Sequence, residues 1–376
     1  MVVAIIGGSI SGIYSGIKLA ENGVRTYIFE KRGNIEGEER ILIVTPEIFK
    51  FIDIPKEIIL NKIERFEIFS KNERAIFEVE KPDIVIEKND FIKFLQNLAI
   101  SKGVNFKMEY EFKSIFKEKN KFFAHFQKKG KDKKECFDFN EIIIANGAKS
   151  EILKSFYSKT KYIYLIQKKI LLPQNYDFKK VTIWFDKRFT DYFIWLIPYS
   201  KNEGVCGSCS KDEGIYKKLD EFIKEKGFEI IGEPQCGIVP SYSPDFFPQF
   251  NLNGLKIFLV GDAGLQIKLT TVGGTFTGIW GGFCAVESII KRKDFNEIYK
   301  FLKRELNLHF YIRKVLSSMD EKEYDKLLLR CQRHLKSIFY KFSRDKLREF
   351  FISLFLKEPY LIFLGIKKFN KFFFNF

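Results

Sequence analysis

Cysteine is scarce: six residues in a chain of 376, too thin a set for a disulfide scaffold, so a reducing cytoplasm is the expected setting. Histidine is scarcer still, and His125, His309 and His334 stand far apart in Lys- and Phe-rich stretches, with no catalytic cluster among them. Cys206 and Cys209 make a CxxC in β-rich surroundings. No second pair lies at zinc-ribbon spacing, so no metal site is expected, and core or edge-strand thiols are the expected reading, with a bridge left open. No apolar run approaches the roughly 20 residues that span a bilayer. The opening MVVAIIGGSISG has no basic region ahead of its apolar segment, which argues against a cleaved secretion signal. Internal repeats and Gly/Ser linkers are missing as well.

What is present is a globular balance of 45% hydrophobic and 30% charged residues, which excludes a disordered chain. The net charge is +16. The lysines are spread through nearly every segment (KKGKDKK at 128–134 is the densest run), so they read as solvated faces, and nucleic acid is not an expected partner. The 43 phenylalanines supply a core, and a pocket, rich in aromatic surface.

The first 30 residues read as a β-α-β unit. A buried-strand run, Val2 to Ile6, leads into Gly7-Gly8-Ser9-Ile10-Ser11-Gly12; a helix runs to about Asn22; a second strand ends at Glu30. A dinucleotide pyrophosphate binds where a strand feeds a helix N-terminus, because free N–H groups and the helix dipole point at the anion. Gly7, Ser9 and Gly12 form that fingerprint, with serine at the middle position. Glu30 stands where an acid accepts from the adenosine ribose, which disfavours a 2′-phosphate and leaves FAD or NAD. Further on, a hairpin pattern (64–70 and 75–80) and a separate strand (83–87) precede a helix over 90–102. Strand patterns follow near 106–112, 122–126 and 142–145. Residues 156–250 are largely β with one helix near 214–226. A strand at 255–260 runs into a glycine-rich loop and a long helix at about 274–291, and everything beyond Asp294 reads as helical.

Glu30-Lys31-Arg32 and Arg40, Lys88 at the head of KNDFIKFLQNLA, Ala145-Asn146-Gly147 and Val260-Gly261-Asp262-Ala263-Gly264 occur in the order seen in the flavoprotein hydroxylase superfamily, which this chain resembles. Asn146 replaces an aspartate there, and Lys88 an arginine. Within that superfamily, the loop from Gly261 to Gly274 is similar to the flavin loop of geranylgeranyl reductases, which reads GDAAG followed by KPTTGGG. Lys268, Thr270, Thr271, Gly273 and Gly274 match, whereas Leu269 and Val272 depart. A signature PxxYxWxFP survives only as Trp195 and Pro198, with Phe193 at the tyrosine. Arg40 is followed by Ile41 where the family often has cysteine.

The resemblance implies an α/β fold: a Rossmann-like FAD-binding domain (1–50, 86–155 and 251–293), an inserted antiparallel β-sheet substrate domain (51–85 and 156–250) and a C-terminal helical region (294–376). It implies FAD held by Gly7, Ser9, Gly12, Glu30, Lys31, Arg40, Lys88, Gly261, Asp262, Lys268, Gly273 and Gly274. The substrate would be a prenylated lipid lying against Phe193, Trp195, Ile197, Pro198 and Ile41. The implied reaction is reduction of prenyl double bonds in archaeal-type lipids, with electrons from NAD(P)H or reduced ferredoxin. An isolated double bond also needs a proton, for which Tyr192, or a water held by Thr270 and Thr271, are the candidates. Two other readings stay open: a flavin monooxygenase of an aromatic or isoprenoid substrate, and a flavin-bound protein without catalysis that binds lipids or partners. The tail from Phe350, alternating aromatics with lysines, suggests either peripheral contact with an anionic membrane or a helix capping the substrate domain.

Overall fold

The computed structural model describes residues 1–131, 134–334, 336–345 and 347–357; the part of the tail from 358 onward lies outside them. The chain forms two compact units. The first comprises Met1–Gly37, Asn89–Lys161 and Pro240–Leu306, the second Glu38–Lys88, Tyr162–Val239 and Asn307–Phe376. Two expected boundaries shift. Residues 38–50 belong to the second unit because the strand Ile41–Val44 pairs with Ile84–Glu87. The C-terminal helices are shared out at Leu306 and do not stand as a region of their own.

The first unit is built on a six-stranded sheet in the order Gln249–Leu252, Leu255–Leu259, Glu141–Ile144, Val2–Ile6, Arg25–Glu30, Asn105–Met108. All neighbours are parallel except the first pair. Its central strands are continuous apolar runs because both faces are buried. The helix Ile10–Glu21 follows the first strand, and the helix Thr275–Lys291 lies beside it through glycines. A Cβ on Gly282 would stand 2.6 Å from Ser15 Oγ, so the close approach of the two helices requires glycine there. A three-stranded antiparallel sheet (Tyr110–Glu118, Lys121–Lys128, Lys134–Phe139) packs its aromatics on this unit, with Phe29 stacked on Phe126 at 3.9 Å.

The second unit holds an eight-stranded sheet in the order Gln235–Pro240, Tyr162–Leu171, Glu203–Ser210, Phe193–Pro198, Lys180–Trp184, Ile59–Phe69, Arg74–Glu87, Ile41–Val44. Lys180–Trp184 pairs in parallel with Ile59–Phe69, and the pairs from Tyr162–Leu171 to Lys180–Trp184 and from Ile59–Phe69 to Ile41–Val44 are antiparallel. The strands expected at 75–80 and 83–87 are one 14-residue strand running through Pro82. The partner strand shifts register between Ile63 and Arg65, and Glu64 donates to Lys179 O instead, so the missing N–H of proline falls at a bulge. One sheet face buries Ile166, Ile194, Leu196 and Cys206 against Leu219, Phe222 and Ile223 of the helix Ile215–Lys226. The other face carries Ile41, Phe66, Val181, Ile197 and Val205, with Trp195 beside them. The helices Glu321–His334 and Lys336–Lys341 cover Ala75 and Phe77 through Leu328, Cys331 and Ile338. Among the described residues no helix is long and apolar enough to cross a membrane.

Candidate functional site: a dinucleotide cradle and an aromatic sheet face

In the first unit the strand Val2–Ile6 ends at Gly7, whose φ of 103° and close approach to Ala145 O (2.6 Å from a notional Cβ) both demand glycine. Ser9 caps the following helix: its Oγ accepts from Gly12 N at 3.2 Å. The serine that replaces the middle glycine therefore has its hydroxyl oxygen engaged in holding the helix start, and it also shares a hydrogen bond with Ser11 Oγ at 3.1 Å in which either hydroxyl can donate.

Glu30 is buried at the end of the second strand. Its Oε2 accepts from Gly8 N at 2.9 Å, and its Oε1 accepts from Arg32 N and Nε at 3.1 and 2.9 Å. Burial alone would push this carboxyl up. The Arg32 side-chain hydrogen bond, the Gly8 N–H and the Arg32 charge outweigh it and hold the group below its ordinary value, so it is a fixed anion. Arg32, quoted in the motif without a role of its own, also donates to Glu36 O at 2.8 Å. Beside them opens a cavity of about 680 Å³, with Gly7, Ser9, Glu30, Lys31, Asn146 and Gly147 at its polar end and Phe112, Ile152 and Phe156 along its apolar wall.

The strand Leu255–Leu259 delivers the second loop. Gly261 adopts φ 63°, and a Cβ there would lie 2.4 Å from Ser11 Oγ, so this loop closes onto the first helix. Gln266 holds the turn: fully buried, it accepts from Gly261 N at 2.7 Å and fills the space that Gly281 leaves. No motif pointed to it. Its signal in the sequence was only its place between two glycine runs. Lys268 is buried and its N–H donates to Gly273 O at 3.1 Å, folding Thr270 and Thr271 into a tight turn. Thr271 Oγ1 is buried without a hydrogen-bond partner. Asp262 sits in the first turn, next to Gly274, where a Cβ would stand 3.3 Å from its Oδ1.

The remaining expected residues belong to the second unit. Arg40 donates to Cys236 O at 2.5 Å and lies over Gly237, and its own carbonyl accepts from Lys88 N at 2.9 Å. Strand alternation puts Phe193, Trp195 and Ile197 on one face of the sheet. Pro198 falls with Ile194 and Leu196 on the opposite face, against the expectation that it joins Trp195. Ile41 does share the Trp195 face. Trp195 lies flat over Gly207, where any Cβ would meet its ring at 2.4 Å, and its Nε1 is buried without a partner. Next to Gly207 on this face, Gln167 donates to Ile41 O at 3.2 Å and Gln235 Oε1 at 2.6 Å.

Tyr192 does not suit the role of proton donor. It is buried with the Arg313 guanidinium 4.6 Å above its ring, and burial pushes its phenol well above the usual value, making it a weaker acid. Cys206 and Cys209 are free, and being three residues apart on one strand they face opposite ways, which excludes a bridge. No group of His, Cys, Asp and Glu able to hold a metal occurs among the described residues.

The sequence profile of the FAD binding domain family matches residues 1–228. Two curated relatives are a digeranylgeranylglycerophospholipid reductase of Methanocaldococcus jannaschii, 23% identical over 96% of each chain, and digeranylgeranylglycerophospholipid reductase 1 of Methanopyrus kandleri, 24% identical over 80% of this chain and 84% of that one. Among solved structures, a geranylgeranyl bacteriochlorophyll reductase-like protein of Thermoplasma acidophilum shares the fold over 98% of both chains, with a TM-score of 0.78 at 19% identity. The residues present fit the group this family carries. Gly7 and Gly12 leave the backbone bare at a helix start, Glu30 is a held carboxylate beside a cavity of the right chemistry, and Thr271 presents an unpaired hydroxyl. The chain belongs to the FAD binding domain family and is an FAD-dependent oxidoreductase, similar in sequence and in fold to proteins named as geranylgeranyl reductases.

Proposed function

We propose that this flavoprotein reduces the carbon–carbon double bonds of geranylgeranyl chains in an archaeal-type membrane lipid. The observation that carries the reading is the apolar face around Trp195. Phe193, Ile197, Val205 and Ile41 surround an indole laid flat on a glycine, a surface suited to a methyl-branched run of isoprene units and offering no charge. The names of the curated relatives support it.

In this reading the helix start after Gly7, where glycine lets the backbone approach closely, receives the pyrophosphate end of FAD, Glu30 accepts from the ribose, and Asp262 with the Gly261–Gly274 loop takes the flavin end. FAD, once reduced, supplies hydride chemistry. The protein's own part is to hold the chain dry on the Trp195 face and to return a proton. Thr271, with its buried unpaired hydroxyl, and Thr270 hold the water that brings that proton in place of Tyr192. Arg40, tied to the Cys236 carbonyl, serves to brace its own sheet and is withdrawn from the set holding the cofactor.

The deciding experiment is anaerobic incubation of FAD-loaded, dithionite-reduced protein with digeranylgeranyl glycerophospholipid, followed by mass spectrometry. A ladder of products gaining two hydrogens per double bond is expected. Unchanged lipid, or oxygen insertion seen only in air, overturns the reading, the latter in favour of a monooxygenase.

A further inference from the structure

The second unit contains a cavity of about 370 Å³, within the roughly 300–1,000 Å³ of small-molecule sites. Its floor is sheet: Phe66, Ile68, Phe77, Val79 and Ile183. Its roof is Phe339 and Phe342, at the end of the helix Lys336–Lys341. Register makes the floor continuous with the Trp195 face. Ile183 stands opposite Ile68 on one side and opposite Trp195 on the other, and neighbouring strands lie about 4.8 Å apart.

The two buried carboxylates at this cavity are paired. Buried Asp83 takes the guanidinium of Arg344, whose plane also covers Phe66 at 5.2 Å, and Glu47 takes Lys50. Along floor and roof an occupant meets rings and methyl groups, the environment of a hydrocarbon, while the charged lining residues Glu80, Lys81 and Lys341 are exposed. The roof is also fastened. Arg344 pairs with Asp83, and Thr45 Oγ1 donates to Asp345 Oδ2, so the residues following Phe342 are tied to the sheet at two points.

We propose that this cavity receives the distal end of an isoprenoid chain and that the Phe339–Phe342 roof, clamped by Arg344 to Asp83 and by Asp345 to Thr45, is the stop that sets the longest chain accepted. The proposal rests on the reading of the Trp195 face as the chain's bed. It adds which residues measure length.

The test uses full-length FAD-loaded protein and radiolabelled geraniol, geranylgeraniol and the longer geranylfarnesol, with binding measured at equilibrium and no turnover required. In the wild type, geranylgeraniol should bind at least about tenfold tighter than geraniol, and geranylfarnesol should gain nothing further. Val79→Trp fills the cavity from the floor and should remove the geranylgeraniol advantage while leaving geraniol unchanged. Phe342→Ala opens the roof and should let geranylfarnesol bind tighter than geranylgeraniol. The Phe342 variant decides the matter alone if Val79→Trp does not fold. A length profile that neither variant moves overturns the stop while the reductase reading stands. A wild-type protein that binds no prenol at all defeats the reductase reading, and the stop with it.

Discussion

Glu30 carries the most weight of any single side chain in the first unit. Its two oxygens accept three hydrogen bonds from Gly8 N and Arg32. An amide at this position would turn a donor toward one of them. Glu30→Gln should therefore weaken FAD retention by roughly 1.5–3 kcal/mol, the range of hydrogen bonds to charged groups, read by release of fluorescent flavin on dilution. The pH dependence has a definite sign. Because the folded-state value is depressed, the stabilisation is fully present above the unfolded carboxyl value and disappears as pH falls through the lowered one. The melting-temperature gap between wild type and variant should accordingly be open at neutral pH and close in acid. Trp195→Ala, in contrast, should cut prenyl turnover far more than FAD retention, and equal loss of both would give Trp195 a folding role instead. Thiols offer a further check. Cys136 is exposed, whereas Cys206, Cys209 and Cys284 are buried, and burial pushes the Cys284 thiol up to about 12. A native Ellman titration should label Cys136 fast and leave those three until the protein unfolds.

The loop from Gly261 to Gly274 shows how an element can depart from its pattern and keep its shape. Val272 stands where the similar loops have glycine, and it adopts φ 51°. A β-branched residue in this left-handed region costs about 1–2 kcal/mol, offset here by burial of its side chain. At an ordinary strand or helix position alanine is more stable than glycine. Here Val272→Gly should melt above Val272→Ala by the equivalent of about 1 kcal/mol, and the reverse order would mean that the turn relaxes when the side chain is trimmed. The same scale explains what the sequence could and could not tell. The β-α-β unit was readable because strand, turn, cap and acid follow one another within 30 residues, each with a local physical reason. The strand Lys134–Phe139 was missed because its alternation is carried by half-buried residues. Ile41–Val44 looked like part of the first unit until its partner at Ile84–Glu87 was seen. The bond from Arg40 to the Cys236 carbonyl is not legible in the sequence, because nothing near it in the chain announces a partner 196 residues away. Pro198, which matches a signature letter by letter, was misplaced because the signature records identity and the pleat decides the face.

At the scale of the whole molecule the dominant quantity is the net charge of +16. Spread along the chain rather than gathered in one run, it attracts an anionic leaflet diffusely, and such attraction fades as the Debye length shrinks from about 10 Å at 0.1 M salt to about 3 Å at 1 M. A protein proposed to act on a membrane lipid gains from that attraction, yet charge alone gives no anchorage that survives salt. Aromatic side chains buried in the interface would. The two contributions separate cleanly in the sequence. Removing residues 358–376 takes away three lysines and one glutamate, which barely alters the charge, together with the whole final aromatic run KKFNKFFFNF. In a flotation assay the full-length protein should rise with vesicles containing anionic lipid, stay behind with neutral ones, and keep a residual bound fraction at 1 M salt. The shortened protein should bind anionic vesicles equally at low salt and lose that residual fraction. If instead the shortened chain resists salt as well as the intact one, the aromatics of the tail belong to the protein's own fold, and the membrane is met by charge alone.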